Sequence, residues 1–266
     1  MKTIYITGSL GEIGLFIFNY LKSHKYKVIR VIRSPLNKEG LADNLVFNYT
    51  LKNPNVTYLI SSRCVVIHCG FNFNEKKLYD NANFQYIHNL HKFFPNAYFI
   101  NISTMSAFSM CKSNYGKIKF EIERLVLKKS GINLRLGIPI ANPPISFHKL
   151  VLRISNIFPF FNFGINAERK CFIYTTNMIK FCHVIEDFIK NGKKKSGTFS
   201  VVSPRPLTIN SFIMKYTGKP VLSIHWTVLY ACLSILNFLK IKLRFGNDSL
   251  IGLVNSIDLP ENNISV

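Results

Sequence analysis

A glycine-spaced turn near the N-terminus constrains the fold of this chain more than any other feature. Residues 7–14 read TGSLGEIG, with a glycine at every third position from residue 8. The turn directly follows the apolar segment Ile4–Thr7 and precedes Glu12–His24, where apolar residues recur at helical spacing. In a strand-to-helix turn of this kind, glycines let backbone N–H groups approach a pyrophosphate at the positive end of the helix. The pattern predicts a dinucleotide-binding βαβ unit, and the alternative is a glycine-rich turn that binds nothing.

Strand and helix signals alternate through the first half of the chain, as in a parallel sheet covered by helices on both faces. Beyond Pro139 this alternation is lost in a region rich in proline and phenylalanine. We therefore predict an α/β fold: a Rossmann-like, doubly wound parallel sheet over residues 1–140. Residues 141–266 are expected to form mainly a small C-terminal substrate lobe, interleaved with the last strands of the sheet. The predicted strands are Ile4–Thr7, Tyr26–Ile32, Leu45–Asn48, Cys64–Cys69, Tyr98–Ile102 and Asn133–Ile138, and the predicted helices are Glu12–His24, Asn83–Phe93 and Tyr115–Lys129.

The chain is strongly basic, with 34 Lys and Arg against 13 Asp and Glu and a formal net charge of +21. Such an excess favours an anionic ligand, a nucleic acid or an acidic membrane surface, or it is solvated surface without a function. No nucleic-acid motif accompanies the charge, and the lysine run 193–195 is expected to be an exposed turn, so we expect no nucleic-acid partner.

The sequence lacks both a metal-binding or disulfide pattern of cysteines and a signal peptide. The six cysteines have neither metal-ligand nor disulfide spacing, so no metal site is expected. Strand signals begin at Ile4 and leave no room for a signal peptide, which predicts a cytoplasmic location.

The apolar segment Ile224–Leu239 is shorter than the roughly 20 residues of a membrane span. We interpret it as a buried helix, with an interfacial membrane helix as the alternative.

Tyr115 and Lys119 stand four residues apart at the start of a predicted helix and share one face. A nearby ammonium and an oxidised nicotinamide can together lower the pKa of a phenol, so this pair suits proton transfer. The pair follows a strand that ends at Ser103 and Thr104, whose hydroxyls can polarise the same substrate oxygen or simply cap a turn. The second strand ends in Arg33 without a carboxylate, which favours NADP over NAD; otherwise Arg33 rests on the adenine or in solvent.

These elements, in this order, resemble the extended short-chain dehydrogenase/reductase family, also called the NAD-dependent epimerase/dehydratase family. The likeness covers most of the chain. The segments that are similar to family motifs are TGSLGEIG, VVIHCG, NFQYIHNL, ISTMSAF, YGKIKFEIE, LRLGIPIANPP and FCHVIEDFIKN. By this resemblance the catalytic residues are Thr104, Tyr115 and Lys119, and the cofactor-binding residues are Gly8, Gly11, Glu12, Ile13, Gly14, Arg33, His68, Lys119, Gly137 and Ile138.

The resemblance implies an NAD(P)-dependent epimerase or 4-ketoreductase that acts on a nucleotide-activated or lipid-linked sugar, as in surface polysaccharide biosynthesis. Met105 and Ser106 follow Thr104 where the family's sugar dehydratases have Asp-Glu, so dehydration is disfavoured. A membrane touched peripherally and a second copy in a homodimer stay open as partners. The alternative function is a non-catalytic Rossmann protein that binds a dinucleotide in a structural or sensing role.

Overall fold

The computed structural model describes residues 3–32, 44–46, 60, 63–73, 81–158, 160–167, 172–191, 196–239, 246–255 and 262–266. The helices in these ranges are α1 (Glu12–Ser23), α2 (Ala82–Phe93), α3 (Asn114–Leu127), α4 (Ser146–Ile157), α5 (Met178–Asn191), α6 (Ile209–Thr217), α7 (Trp226–Phe238) and α8 (Asn247–Val254). The strands are β1 (Ile4–Thr7), β2 (Val28–Ile32), β3 (Asn44–Val46), β4 (Val65–His68), β5 (Tyr98–Thr104), β6 (Ile132–Leu136), β7 (Ile138–Ile140), β8 (Asn162–Asn166), β9 (Phe172–Ile173), β10 (Thr175–Asn177), β11 (Gly197–Val202), β12 (Leu207–Thr208), β13 (Val221–His225) and β14 (Asn263–Ser265).

One large sheet carries the fold. Its eight strands run in the order β14-β11-β6-β5-β4-β1-β2-β3, and neighbouring strands pair in parallel. Strand order reverses between β1 and β4, because β2 and β3 extend to one side and the later strands to the other. Ligands of doubly wound sheets bind at the carboxyl ends of the strands beside such a switch point. The predicted Rossmann-like α/β fold is therefore confirmed.

The sheet separates two apolar cores, because successive side chains of a strand point to opposite faces. On one face Ile4 and Ile6 pack with residues of α1 and α5, and on the other face Tyr5 packs with residues of α2 and α3. The central strands β1 and β4 are buried along their whole length. Each fully buried Ile, Leu or Phe contributes about 1.5–3 kcal/mol. Both helical layers are thus needed to stabilise the sheet whose edge forms the candidate site.

The chain leaves the large sheet after Leu136, two residues earlier than predicted. Ile138–Ile140 instead pairs with β10 in a separate two-stranded sheet. Gly137 directs this departure: its N–H donates to Thr176 Oγ1 at 3.0 Å, and a side chain there would collide with the Tyr174 carbonyl. In the predicted third strand, residues 47–48 lie outside the described residues, as does the lysine run 193–195.

A smaller apolar cluster lies in the C-terminal part of the chain, where the sequence predicted a lobe. Two-stranded pairings of β8 with β13 and of β9 with β12 accompany α4 and α6 around this cluster. Strands β11 and β14 return to the edge of the large sheet. The boundary at residue 140 itself stays a prediction. The buried members of the cluster are Val151, Ile173, Ile209, Phe212 and Ile213.

The interpretation of Ile224–Leu239 as a buried helix is wrong. Its first residues belong to β13, and α7 is covered on one side only. Leu233 is buried, whereas Ile235 is 60% and Phe238 is 86% exposed. The helix was predicted to be buried because its residues are mostly apolar on all sides. Composition alone does not reveal which side of a helix packs against the rest of the protein. Within the described residues, no helix combines the length and the apolarity that crossing a bilayer requires.

Candidate active site

The glycine turn connects β1 to α1 at the switch point of the sheet. Gly8 has a φ of +66°, a conformation that favours glycine, and a Cβ there would lie 2.6 Å from the backbone nitrogen of Gly70. A Cβ at Gly14 would collide with the Gly8 carbonyl, and the Gly11 N–H donates to that same carbonyl at 3.0 Å. Ser9 Oγ is buried and has no hydrogen-bond partner within the described residues. A close-packed turn with an unused hydroxyl fits a phosphate group of a dinucleotide.

Glu12 and Ile13 open helix α1 directly after the turn. The Glu12 carboxylate accepts hydrogen bonds from Ser146 N at 2.8 Å and from Lys149 Nζ at 3.1 Å, which joins α1 to α4. Burial raises the pKa of Glu12, but the hydrogen bonds from Ser146 and the charge of Lys149 outweigh it and lower that pKa below its usual value. Ile13 packs against the core of the sheet. Both side chains thus hold the helix start in place, and their contact with a cofactor stays a prediction.

His68 ends strand β4 next to the turn. Its Nδ1 lies 2.7 Å from Thr7 Oγ1, and its side chain is buried. Burial, together with the charge of Lys119, lowers the pKa of His68 to about 3. The imidazole is therefore neutral at physiological pH and ties the ends of β1 and β4 together.

Thr104 and Tyr115 meet at the carboxyl edge of the sheet. Thr104 is the last residue of β5, and Tyr115 stands in the first turn of α3. Burial raises the pKa of Tyr115 to about 12, although a hydrogen bond with the Thr104 side chain acts in the opposite direction. The expectation of a lowered phenol pKa is thus not met in the protein alone. The phenol is protonated at neutral pH, which suits a proton donor.

Lys119 lies one helical turn beyond Tyr115 and is only 4% exposed. Its Nζ donates to the carbonyl of Ile102 at 3.0 Å and lies 5.1 Å from the centre of the Phe71 ring. Burial lowers the pKa of Lys119 to about 8, while Cys69 and Glu123 act to raise it. The ammonium is therefore largely protonated at neutral pH in a poorly solvated position. Such a cation can stabilise negative charge on a nearby oxygen.

Phe71 connects the glycine turn to the tyrosine. The backbone of Gly70 contacts Gly8, and the next residue, Phe71, packs its ring edge-on to Tyr115 at 5.0 Å. Phe73 stacks on the Tyr115 ring itself, with the two ring centres 5.7 Å apart, and is 73% exposed. The glycine turn and Tyr115, the candidate proton donor, thus both contact the short segment 70–71. Sequence reasoning missed both phenylalanines, although their position directly after a buried strand was a usable signal.

A scan against protein-family models finds no match, and a search of curated proteins finds none. Solved structures do match. The UDP-N-acetylglucosamine 4-epimerase from Bacillus cereus is 18% identical, with 85% of this chain and 86% of that chain covered and a TM-score of 0.65. The dTDP-glucose 4,6-dehydratase from Bacillus anthracis with NAD is 13% identical, with 96% of each chain covered and a TM-score of 0.60. A human epimerase family protein with NADPH is 12% identical, with 98% and 90% covered and a TM-score of 0.69.

The chain has the epimerase/dehydratase fold. At these identities the likeness establishes the fold alone. Any inference about the chemistry must therefore be drawn from the side chains at the edge of the sheet. The resemblance drawn from the motifs agrees with the architecture found in all three structures.

In this epimerase/dehydratase fold, the remaining predicted cofactor residues lie as follows. Gly137 and Ile138 occupy the bend after β6, where the Ile138 N–H donates to the Tyr174 carbonyl at 2.7 Å. Arg33 lies outside the described residues, so the preference for NADP stays a prediction. The neighbouring Arg30 places its guanidinium 3.9 Å from the centre of the Phe18 ring, over helix α1.

Ser103 does not face the substrate edge, contrary to one expectation. Its hydroxyl donates to Glu123 Oε1 at 2.6 Å, inside a buried network behind Lys119. Glu123 also accepts two hydrogen bonds from Arg135, at 2.9 and 2.7 Å. Burial raises the pKa of Glu123, while the Arg135 charge opposes that effect. No local sequence pattern predicts this ion pair, because its partners lie on α3 and β6 and meet only after the sheet forms.

Sequence reasoning also missed Asp248. From the first turn of α8, its carboxylate accepts hydrogen bonds from Asn114 N at 2.7 Å and Tyr115 N at 3.0 Å. Ser113 caps the same helix start by accepting from Gly116 N at 3.1 Å. A residue from the C-terminal part of the chain thus fixes the backbone of the candidate proton donor.

Proposed function

We propose that the protein is a nicotinamide-dependent oxidoreductase or epimerase that acts on a secondary alcohol or ketone of a nucleotide-activated sugar. The observation that carries the proposal is the meeting of the Tyr115 phenol with the Thr104 side chain, at the sheet edge that also holds the glycine turn. A binding protein without catalysis has no need for this arrangement beside a buried lysine.

The glycine turn and Ser9 would hold the pyrophosphate of NAD or NADP at the start of α1. When bound, the nicotinamide ring supplies the group that accepts or gives the hydride. Lys119 is the buried cation nearest to Tyr115 on α3, and it would stabilise negative charge that develops on the phenol or on a ribose hydroxyl. Apart from Ser9, the residues given these roles are ones that the sequence predicted for the site.

Tyr115 would transfer a proton at its phenol oxygen. With a pKa of about 12, the phenol holds its proton at neutral pH and can donate it to a ketone oxygen, with Thr104 hydrogen-bonded to the same group. In the reverse direction it must accept a proton, which requires added positive charge near the phenol to lower its pKa. The raised pKa therefore suits the phenol to donating a proton to a ketone oxygen more than to accepting one from an alcohol.

The substrate class is inferred from two observations. The solved structures with this fold include enzymes named for UDP-N-acetylglucosamine and dTDP-glucose. The net charge of +21 suits a substrate that carries a diphosphate. Met105 and Ser106 follow Thr104 and provide no acid to eliminate water, so epimerisation or 4-ketoreduction is proposed over dehydration. A role in polysaccharide synthesis, a cytoplasmic location, a homodimer and use of NADP belong to the same proposal.

The test compares the wild type with Tyr115→Phe on a panel of UDP- and dTDP-linked keto-sugars, following NADH and NADPH by absorbance. We expect turnover to fall by a factor of about 100 or more, while cofactor affinity changes less than threefold, because only the proton donor is lost. Equal turnover in the variant would remove Tyr115 from the mechanism. Cofactor binding by the wild type without turnover of any sugar would instead favour the non-catalytic dinucleotide-binding alternative.

A further inference from the structure

Helix α7 has one covered side and one exposed side, although both are apolar. Leu229, Leu233 and Leu236 are buried or half-buried against the rest of the protein. The opposite side forms an apolar stripe of six exposed residues with no charged side chain among them. These residues are Val228, Ala231, Cys232, Ile235 and Phe238 of α7 and Leu239, which directly follows the helix and donates its N–H to the Ile235 carbonyl at 2.9 Å.

The spacing of the apolar stripe makes it one continuous surface. Its members follow one another by three, one, three, three and one residues, so they all lie within about a third of the helix circumference. Ile235, Phe238 and Leu239 are 60%, 86% and 59% exposed. Single exposed apolar residues are ordinary, but a contiguous apolar face of this length marks a surface that meets an apolar partner.

The charge of the surrounding sequence distinguishes between the candidate partners. Residues 188–247, which include α7, contain ten Lys and Arg and no Asp or Glu. Two copies of a region with this charge would repel each other, whereas an anionic surface would attract it. The helix has 13 residues and is too short to cross a bilayer. An apolar helix face within a basic region matches a helix that lies in the plane of an anionic lipid surface.

We propose that the apolar stripe of α7 binds this protein peripherally to an anionic lipid bilayer, with Ile235, Phe238 and Leu239 inserted at the headgroup boundary and basic residues contacting the lipid phosphates. This inference is independent of the proposed chemistry, because it uses no residue of the candidate active site. It assigns the partner of a helix that the fold leaves half uncovered.

The test is sedimentation of the full chain with vesicles of phosphatidylcholine, with and without phosphatidylglycerol. We expect binding to the anionic vesicles that weakens as salt is raised, and little binding to the neutral ones. Replacing two stripe residues, in Ile235→Ser/Phe238→Ser, should weaken binding at least tenfold, because two large side chains no longer leave water. The single variant Phe238→Ser, at an 86% exposed position, provides a second readout that spares the fold.

Ile179→Ser is the matched control, because Ile179 is a 56% exposed isoleucine on α5, outside the stripe. It should bind vesicles like the wild type, and all variants should keep the wild-type melting temperature and dinucleotide affinity. The proposal is overturned if the wild type ignores anionic vesicles, binds neutral vesicles equally well, or binds undiminished after the double substitution. A wild-type dimer that the double substitution dissociates, without vesicle binding, would assign the stripe to a second copy and overturn the proposal as well.

Discussion

Replacing Asp248 with alanine tests whether the C-terminal helix α8 positions the candidate proton donor. The substitution removes the acceptor of two backbone hydrogen bonds, from Asn114 N at 2.7 Å and Tyr115 N at 3.0 Å. Loss of one capping side chain costs about 1 kcal/mol, and here a charged group caps two N–H groups, so we expect about 2 kcal/mol. If that energy holds Tyr115 in its reactive position, its loss lowers kcat by a factor of about 30.

The assay combines urea unfolding with kcat and KM for a keto-sugar that the wild type reduces. Ser113→Ala is the matched control: it removes a cap from the same helix start, but the lost bond goes to Gly116 N and not to Tyr115. We expect both variants to be destabilised, with a large fall in kcat for Asp248→Ala alone and partial recovery in Asp248→Asn, which keeps one acceptor oxygen. Equal falls in kcat for Ser113→Ala and Asp248→Ala would refute the positioning role and leave only helix stability.

Three further substitutions address the buried groups around the site. Arg135→Leu leaves Glu123 buried without its ion-pair partner and should lower the free energy of unfolding by about 3–5 kcal/mol in urea titrations; a loss below 1 kcal/mol would contradict this. Between about pH 8 and 10.5 the unfolded chain keeps the Lys119 proton that the folded chain has lost. The free energy of unfolding of the wild type, relative to that of Lys119→Met, should therefore rise with pH in this range. A difference that does not change with pH would contradict this prediction. Gly14→Ala should abolish dinucleotide binding measured by fluorescence because its Cβ collides with Gly8, whereas Gly246→Ala, with open space around it, should bind normally.

The central architecture could be predicted because local signals and the final fold agree. The strand Ile4–Thr7, the glycine turn and helix α1 are neighbours in sequence, and the turn demands glycine for reasons of backbone geometry alone. Tyr115 and Lys119 share a helix face for the same local reason. The end of β6 was misplaced by two residues because the chain turns at Gly137 and Ile138 then bonds to Tyr174. That partner lies 36 positions further along the chain, and the strand itself contains no signature of it.

Electrostatic details were not predictable, because burial decides them. A lysine four residues from a tyrosine, together with an oxidised nicotinamide, predicted a lowered phenol pKa, and in the protein alone burial raises the pKa of Tyr115 to about 12. Lys119 directs its ammonium to the Ile102 carbonyl, and among the described residues no cation offsets the burial of the phenol. In the proposed mechanism, a bound oxidised nicotinamide would have to provide most of the positive charge that proton acceptance by Tyr115 requires.

The misjudged helix α7 shows why an apolar sequence does not determine its own environment. Hydropathy measures the tendency to leave water, and both a protein core and a lipid surface satisfy it. What separates the two is the number of sides that the fold covers, which depends on elements elsewhere in the chain. Here Leu233 packs inward while Phe238 points outward, in a stretch of sixty residues without one carboxylate. The lack of Asp and Glu in this stretch could be seen in the sequence. A helix buried in the protein core does not require this lack, whereas binding to an anionic bilayer would account for it.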